Sequence, residues 1–277
     1  MTNAEWSDLA ERTEGEAMRR IVEDQTSEVQ ARLDMSAHAA GDGVHTVVVQ
    51  DPMWGYWNKA LGFCEAVTEE IVADVRARAE ERGVPAFALQ LQPRVVPEDW
   101  EAITENHGLT AGTVFVKCFG PAEPRSVETD LRIARLGPDH GSDFVRVMAA
   151  GFGFEASPGA DAMFDGAQFF EGDWATYGAF DGDTLVAVAR MLVVAATEAV
   201  ALFGAATLPE GRNRGAQGAL LDARVREARD RGLRFASAET WLETPENPNP
   251  SQHNMTRAGL TEVHTRPSWV WRNPAAS

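Results

Sequence analysis

The sequence predicts an α/β fold divided into two domains. Its 277 residues exceed the roughly 100 to 200 residues of an average domain. Apolar runs of strand length alternate with stretches in which apolar residues have helical spacing. The order of these elements in the first half returns in the second half, which indicates an internal duplication.

The first half begins with helical spacing over residues 1–35, expected to form a surface helix or a frayed tail. The elements that follow are predicted as a strand at 44–49, a helix at 68–82, a strand at 87–91, a helix at 100–106 and a strand at 113–118. A stiff, polar spacer at 120–124 comes next. We therefore expect the domains to be residues 1–125 and 126–277.

The second half is predicted to contain a loop with bulky apolar residues at 151–158, a candidate cover for a substrate site. The regular elements are predicted as a strand at 131–136, a helix at 139–149, a hairpin at 176–180 and 185–194, a strand at 199–206, a helix at 219–231, a strand at 233–240, a helix at 251–258 and a strand at 268–271. The last four elements repeat the order seen in the first half.

Composition and charge exclude several functions. The net charge of −17 argues against a nucleic-acid partner, because such proteins need a basic face. There is no apolar run of transmembrane length and no signal-peptide core, so we expect a cytoplasmic protein without membrane contact. Cys64 and Cys118 are expected to be buried apolar residues without a disulfide or a metal.

The stretch at 202–221, LFGAATLPEGRNRGAQGALL, reads as a strand, a glycine-rich turn and the start of a helix near Gly215 or Gly218. The first N–H groups of such a helix are free and carry partial positive charge, so they attract a phosphate. Arg212 and Arg214 add full charges at the same corner. The sequence therefore predicts an anion cradle in this turn.

The sequence of this turn differs from two other phosphate-binding motifs. The turn has no lysine followed by Ser or Thr, which a P-loop requires. Its glycines, at 211, 215 and 218, do not have the spacing of a dinucleotide-binding turn. Glu239 nevertheless lies where that fold has its ribose-binding acid, so the dinucleotide interpretation stays open.

The segment resembles motif A of the GNAT superfamily of acyl-CoA-dependent N-acyltransferases, [QR]-x-x-G-x-[GA]. Arg212 and Gly215 match the motif, whereas Gln217 stands where the family has Gly or Ala. The letters from Ser251 to Asn254 and from Arg257 to Leu260 resemble motif B, S-x-x-N-x-x-R-x-G-[FL]. The resemblance covers residues 127–271.

This resemblance implies two GNAT-like domains, each a mixed, mostly antiparallel twisted sheet flanked by helices. The first domain has no coenzyme A motif and is expected to be degenerate. The second is expected to bind one acetyl-CoA as co-substrate, without a metal. The coenzyme-binding residues that the resemblance implies are Ala206, Thr207, Leu208, Arg212, Asn213, Arg214, Gly215, Ala216, Gln217, Gly218, Ala219 and Asn254.

The implied reaction is the direct attack of a small primary amine on the thioester of acetyl-CoA in a ternary complex. Backbone N–H groups around Ala206 and Thr207 are the expected donors to the carbonyl oxygen. Candidate catalytic residues are Glu239, Glu198 and His253. Met255 stands where the family has a tyrosine that acts as the acid for the leaving group. A monomer or homodimer is expected.

A second interpretation, favoured by Met255 and Gln217, is a catalytically degenerate coenzyme A binder with a regulatory or structural role.

Overall fold

The computed structural model describes residues 1–40, 43–50, 52–153 and 158–276. The chain divides into two compact units, in each of which helices flank strands, so the predicted α/β class is confirmed. The first unit comprises Met1–Lys117, Thr240–Thr244 and Glu262–Ser277, and the second comprises Cys118–Glu239 and Pro245–Thr261. These units differ from the predicted contiguous halves, because the end of the chain belongs to the first unit.

The sheet of the first unit is mostly antiparallel. The helices and strands of the first part of the chain are α1 (Asn3–Glu23), α2 (Ser27–Arg32), β1 (Ser36–Ala39), β2 (His45–Val48), β3 (Lys59–Leu61), α3 (Glu69–Glu81), β4 (Ala86–Gln90), α4 (Trp100–His107) and β5 (Leu109–Pro121). Strand β2 pairs antiparallel with both β1 and β3, and β3 pairs parallel with β4. The predicted elements at 68–82, 87–91 and 100–106 are found with small shifts at their ends.

The second unit is built around a five-stranded order, β10, β9, β8, β7, β6. The elements of the second part of the chain are β6 (Arg132–Arg135), α5 (Gly141–Phe152), α6 (Pro158–Phe164), β7 (Trp174–Asp181), β8 (Thr184–Val194), β9 (Ala199–Thr207), α7 (Ala216–Asp230), β10 (Phe235–Trp241), α8 (Pro250–Arg257) and β11 (Thr261–Arg272). The pairs β6–β7, β7–β8 and β8–β9 are antiparallel, and β9–β10 is parallel.

The last strand, β11, lies in the sheet of the first unit. It pairs antiparallel with β4, with Ser268 opposite Gln90 and Arg272 opposite Ala86. Trp271 joins the buried cluster of this unit, and Trp269 packs edge-on against Trp100 at 5.4 Å between ring centroids. The predicted boundaries assigned this strand to the second domain, but strand pairing is set by distant partners that a linear pattern does not reveal.

Helix α1 is neither a frayed tail nor a simple surface helix. It starts with a capping box, in which the Glu5 N–H donates to Thr2 Oγ1 at 3.2 Å and the Thr2 N–H donates to Glu5 Oε2. Ala10, Ala17 and Ile21 are buried along one side of the helix. The same helix therefore contributes to the core of the first unit.

Helix α1 also carries two carboxylates into a buried ionic cluster. Glu11 is fully buried; it accepts from His264 Nε2 at 2.8 Å and forms an ion pair with Arg266, which is itself fully buried. Glu14 forms ion pairs with Arg266 and with buried Lys117. Because buried charges are unfavourable unless they are paired, the cluster fixes α1 against β5 and β11 within the first unit.

The cluster makes stability depend on pH. Burial alone would raise the pKa of Glu14, but the charges of Arg266, Lys117 and Lys59 outweigh this effect and hold the pKa well below its ordinary value of 4.5. A carboxylate with a lowered pKa contributes stability above its unfolded-state pKa. This contribution is lost as the pH falls below about 4.5 towards the folded-state pKa.

Two helices show the remaining corrections to the sequence predictions. Helix α6 was not predicted at all, and α7 begins at Ala216, between the predicted starts. Cys64 and Cys118 are buried, as predicted. Among the described residues, no helix is both long and apolar enough to cross a membrane.

We predict that Glu11→Gln lowers the free energy of unfolding by about 3 to 5 kcal/mol, because it leaves the buried Arg266 without one of its carboxylates. Glu23→Gln is the matched control on the same helix, since Glu23 forms an exposed ion pair with Arg19 that is worth at most about 1 kcal/mol. Urea unfolding followed by circular dichroism measures both. Equal stabilities of the two variants would contradict the assigned role of the cluster.

Candidate functional site

Strand β9 has an irregularity that interrupts its pairing with β8. Val188 is opposite Ala206 and Arg190 is opposite Phe203, so Gly204 and Ala205 together face the single residue Ala189. Gly204 has φ +56°, a conformation that favours glycine. This is a β-bulge, which turns the strand and changes the direction of its backbone groups.

From residue 203 onward, β9 no longer pairs with β10. The parallel pairing runs from Ala199 opposite Phe235 to Leu202 opposite Ala238, whereas β9 continues to Thr207. In the described part of the chain, residues 203–207 therefore have no strand partner on the β10 side. Backbone N–H and C=O groups in such a gap are available to a linear ligand that carries amide groups.

The open end of β9 leads directly into the predicted cradle. Residues Pro209–Gly211 form one turn of 3-10 helix, and Gly215 has φ +77° immediately before α7 begins at Ala216. The Gly215 carbonyl accepts from the Ala219 N–H at 3.0 Å, which closes the first turn of the helix. The N–H groups of residues 216–218 precede this bond, so they have no intrahelical acceptor and can face an anion.

Gln217, which replaces the small residue of motif A, does not disturb this geometry. Its Nε2 donates to the Ala206 carbonyl at 3.0 Å and to Thr207 Oγ1 at 2.8 Å. The side chain therefore folds back onto the end of β9. It ties the first turn of α7 to the strand and uses one carbonyl of the open stretch.

The two arginines of the turn are in different states. Arg214 Nε donates to Asp130 Oδ1 at 3.1 Å, and its Nη1 donates to Asp181 Oδ2 at 2.7 Å. Hydrogen bonds from Arg214 lower the pKa of both aspartates. Arg212 is exposed, and within the described residues its side chain has neither an ion pair nor a hydrogen bond. Arg212 is thus the arginine of the turn that is free to meet an anionic ligand.

A cavity of about 270 Å³ lies beside the first turns of α7. It is lined by Glu123, Arg125, Val127, Gly215, Gly218, Asp222, Val225, Asn254, Arg257 and Ala258. Asn254, a predicted ligand of the coenzyme, accepts from Arg257 Nη2 at 2.6 Å, and Arg125 Nη1 donates to the Arg257 carbonyl at 3.4 Å. The site prediction omitted Arg125 and Arg257, although Arg257 belongs to motif B.

The three candidate catalytic residues lie in different places. Glu239 directly follows Ala238, the last residue of β10 that pairs with β9, and is half-buried. His253 is exposed on α8, next to Asn254. Glu198 precedes β9, has φ +50° and forms an exposed ion pair with Arg234 at 3.0 Å. Because a strand rises about 3.3 Å per residue, Glu198 lies about 30 Å along the strand from Thr207.

Acid catalysis by a tyrosine has no support at this site. Met255 is buried in α8, and its thioether has no proton to donate. Of the two tyrosines in the chain, Tyr56 belongs to the first unit, and Tyr177 donates its hydroxyl to Glu227. Burial and this hydrogen bond raise the pKa of Tyr177. The loop at 154–157, part of the predicted substrate cover, lies outside the described residues.

Comparisons with known proteins support one fold. No family model matches the chain. Over 75 residues it is 41% identical to serotonin N-acetyltransferase 2, chloroplastic, from Oryza sativa subsp. japonica; the match spans 27% of this chain and 36% of that protein, little more than a third of its length.

Solved structures are similar over most of the chain. A GCN5-related N-acetyltransferase from Kribbella flavida has a TM-score of 0.61 and 14% identity, covering 89% of this chain and 94% of that one. A tandem GNAT protein from the clavulanic acid biosynthesis pathway, without AcCoA, has a TM-score of 0.55 and 11% identity, covering 83% of this chain and 78% of that one. At such identities the likeness is one of fold.

We predict that Gly215→Ala lowers the free energy of unfolding by about 1 to 2 kcal/mol more than Gly218→Ala does, because only position 215 needs a left-handed backbone. A Cβ at 215 would also lie 2.6 Å from the Glu128 carbonyl oxygen, whereas at 218 the nearest atom is Val127 Cγ1 at 3.0 Å, on a side chain that can shift. Chemical denaturation compares the pair. Equal losses would show that the turn has a different conformation.

Proposed function

We propose that this chain, which has the fold of the GCN5-related N-acetyltransferases as its two motifs predicted, is an acyl-CoA-dependent N-acyltransferase. The acyl group is acetyl, and the acceptor is the primary amine of a small molecule. The observation that carries the proposal is the open stretch of β9, residues 203–207, which runs directly into the turn before α7. Coenzyme A has amide groups in its arm and a pyrophosphate at one end of that arm, in the same linear order.

The residues of the open stretch and the turn fit such a molecule. Backbone groups of residues 203–207 would bond the arm, and the N–H groups at the start of α7 would face the pyrophosphate, with Arg212 beside them. The cavity that Asn254 and Arg257 line adjoins Gly215 and Gly218, so the nucleotide end would lie there. When bound, acetyl-CoA supplies a thioester carbonyl that an amine can attack.

The remaining chemistry belongs to the side chains and backbone around the gap. Backbone N–H groups at Ala206 and Thr207 would stabilise the negative charge that develops on the carbonyl oxygen. Glu239, half-buried where β9 and β10 separate, is the proposed base that takes the proton of the amine, directly or through a water molecule. With Met255 in place of an acid, the sulfur leaves as a thiolate. Thiols are weak acids, with a pKa of about 8.5 for cysteine, so a thiolate is a feasible leaving group.

A second candidate function is a coenzyme A-binding protein that no longer catalyses transfer. The buried Met255 favours it, because a thioether stands where an acid would assist turnover. Turnover separates the two candidates, since both would bind the coenzyme.

We predict that the protein releases free thiol from acetyl-CoA only when an amine is present, and that Glu239→Gln slows this release by about a hundredfold or more. A panel of amino acids, polyamines and antibiotic-type amines, with a thiol-reactive dye as the readout, provides the measurement. Glu246→Gln, at an exposed position, is the matched control. Tight binding without amine-dependent release would favour the second candidate.

Arg212→Ala should weaken acetyl-CoA binding about three- to tenfold at low salt and less at high salt, because salt screens an exposed charge. Arg229→Ala is the control: Arg229 is also exposed and lies near the opposite end of α7. Titration calorimetry at two ionic strengths gives both constants. An equal loss for the two variants would remove the turn from the binding site.

A further inference from the structure

Residues 123–130, here called the strap, lie across the turn that would receive the pyrophosphate. A Cβ built on Gly215 would be 2.6 Å from the Glu128 carbonyl oxygen, and one built on Gly218 would be 3.0 Å from Val127 Cγ1. The strap is therefore in direct contact with both glycines. Because residues 215 and 218 have no side chains, the strap packs directly against the start of α7, beside the free N–H groups of residues 216–218.

Polar contacts anchor the strap at two points. Thr129 Oγ1 donates to the Arg214 carbonyl at 2.7 Å, and Asp130 accepts from Arg214 Nε at 3.1 Å. At the other end, Arg125 Nη1 donates to the Arg257 carbonyl at 3.4 Å. These bonds join the strap to the turn before α7 and to α8. Both of those elements line the cavity of the proposed coenzyme site.

The strap also opposes an anion electrostatically. The Glu128 carbonyl oxygen, which carries partial negative charge, packs against Gly215, and Asp130 engages one of the two arginines of the turn. Val127 is 41% exposed, so the strap covers the turn without being buried in the core. The bonds of Arg125 and Asp130 are exposed and the bond of Thr129 is partly buried, so these contacts break at a modest free-energy cost.

We infer that the strap is an autoinhibitory cover, which must leave Gly215 and Gly218 before a pyrophosphate reaches the start of α7. The inference rests on the proposed function, because the competing ligand is the coenzyme of that reaction. The apparent affinity for acetyl-CoA is then the intrinsic affinity reduced by the fraction of molecules in which the strap is open. Any change that loosens the strap without altering the cradle tightens binding.

Thr129→Val is the sharpest variant, because it removes the bond to the Arg214 carbonyl without changing charge or size. The variant also removes the acceptor of the Leu131 N–H, which belongs to the residue directly after the strap. We expect acetyl-CoA to bind about three- to tenfold more tightly, the factor that corresponds to the net contribution of one hydrogen bond. Unchanged or weaker binding by Thr129→Val, in a protein that unfolds at the same temperature as the parent, overturns the inference.

A second pair of variants separates release of the strap from simple charge removal. Asp130 and Asp181 both form ion pairs with Arg214, but Asp181 belongs to β7 and not to the strap. Each change to Asn removes one negative charge beside the turn. We expect Asp130→Asn to tighten acetyl-CoA binding more than Asp181→Asn does. Equal effects would mean that charge alone matters, which contradicts a steric cover.

Trypsin reports on the strap directly, because Arg125 lies within it. We expect saturating acetyl-CoA to speed cleavage after Arg125 in the full chain. Mass spectrometry of the fragments over time measures the rate of this cleavage. Slower or unchanged cleavage would show that the strap closes on the ligand or stays in place, and would overturn the inference.

Binding and turnover by the parent with no change in any strap measurement would leave the proposed function intact and remove the inference alone. Binding by Thr129→Val but not by the parent would support both, and failure of every variant to bind would remove both.

Discussion

The separation of β9 from β10 after Leu202 and Ala238 is the constraint on which the proposed site depends. Pairing along the whole of β9 would satisfy the backbone groups of residues 203–207 and leave no room for a ligand. An unsatisfied buried backbone group costs about 1 to 3 kcal/mol, so a gap in the middle of a sheet persists only where something fills or compensates it. A water molecule or a ligand with amide groups does this, and the gap is therefore a physical reason to expect such a ligand.

Buried and partly buried contacts fix α7 relative to β8 and to the open end of β9. Arg190, opposite Phe203 at the bulge, is fully buried; its guanidinium lies 4.1 Å from the centroid of the Phe144 ring and 4.5 Å from that of Phe169. Buried Arg224 of α7 donates to the Arg190 carbonyl at 3.0 Å, so the helix that starts at the cradle is tied to the strand beside the bulge. Burial lowers the pKa of each arginine to about 9. Together with Gln217, these contacts fix α7 relative to the open end of β9.

The parts of the site that sequence analysis predicted are those encoded locally. The apolar run of β9, Gly215 before the helix, and the order of elements from β9 to α8 all follow from neighbouring letters, and the structure has them within a few residues. The pairing of β11 with β4 and the position of the strap over Gly215 depend on residues far apart in the chain. Asp130 and Asp181, the partners of Arg214, are likewise distant from it in sequence. Arg212 and Arg214, which look equivalent in the sequence, therefore differ in the structure. The bulge at Gly204 also has a local signal in the sequence, a glycine inside a strand.

Amide hydrogen exchange at residues 203–207 shows directly whether the coenzyme arm lies along β9, because those backbone groups are its proposed contacts. With acetyl-CoA bound, exchange at these amides should slow, whereas the amides of residues 199–202, already paired with β10, should change little. Binding of acetyl-CoA that leaves exchange at 203–207 unchanged would contradict the account, since the coenzyme would then lie elsewhere on the protein.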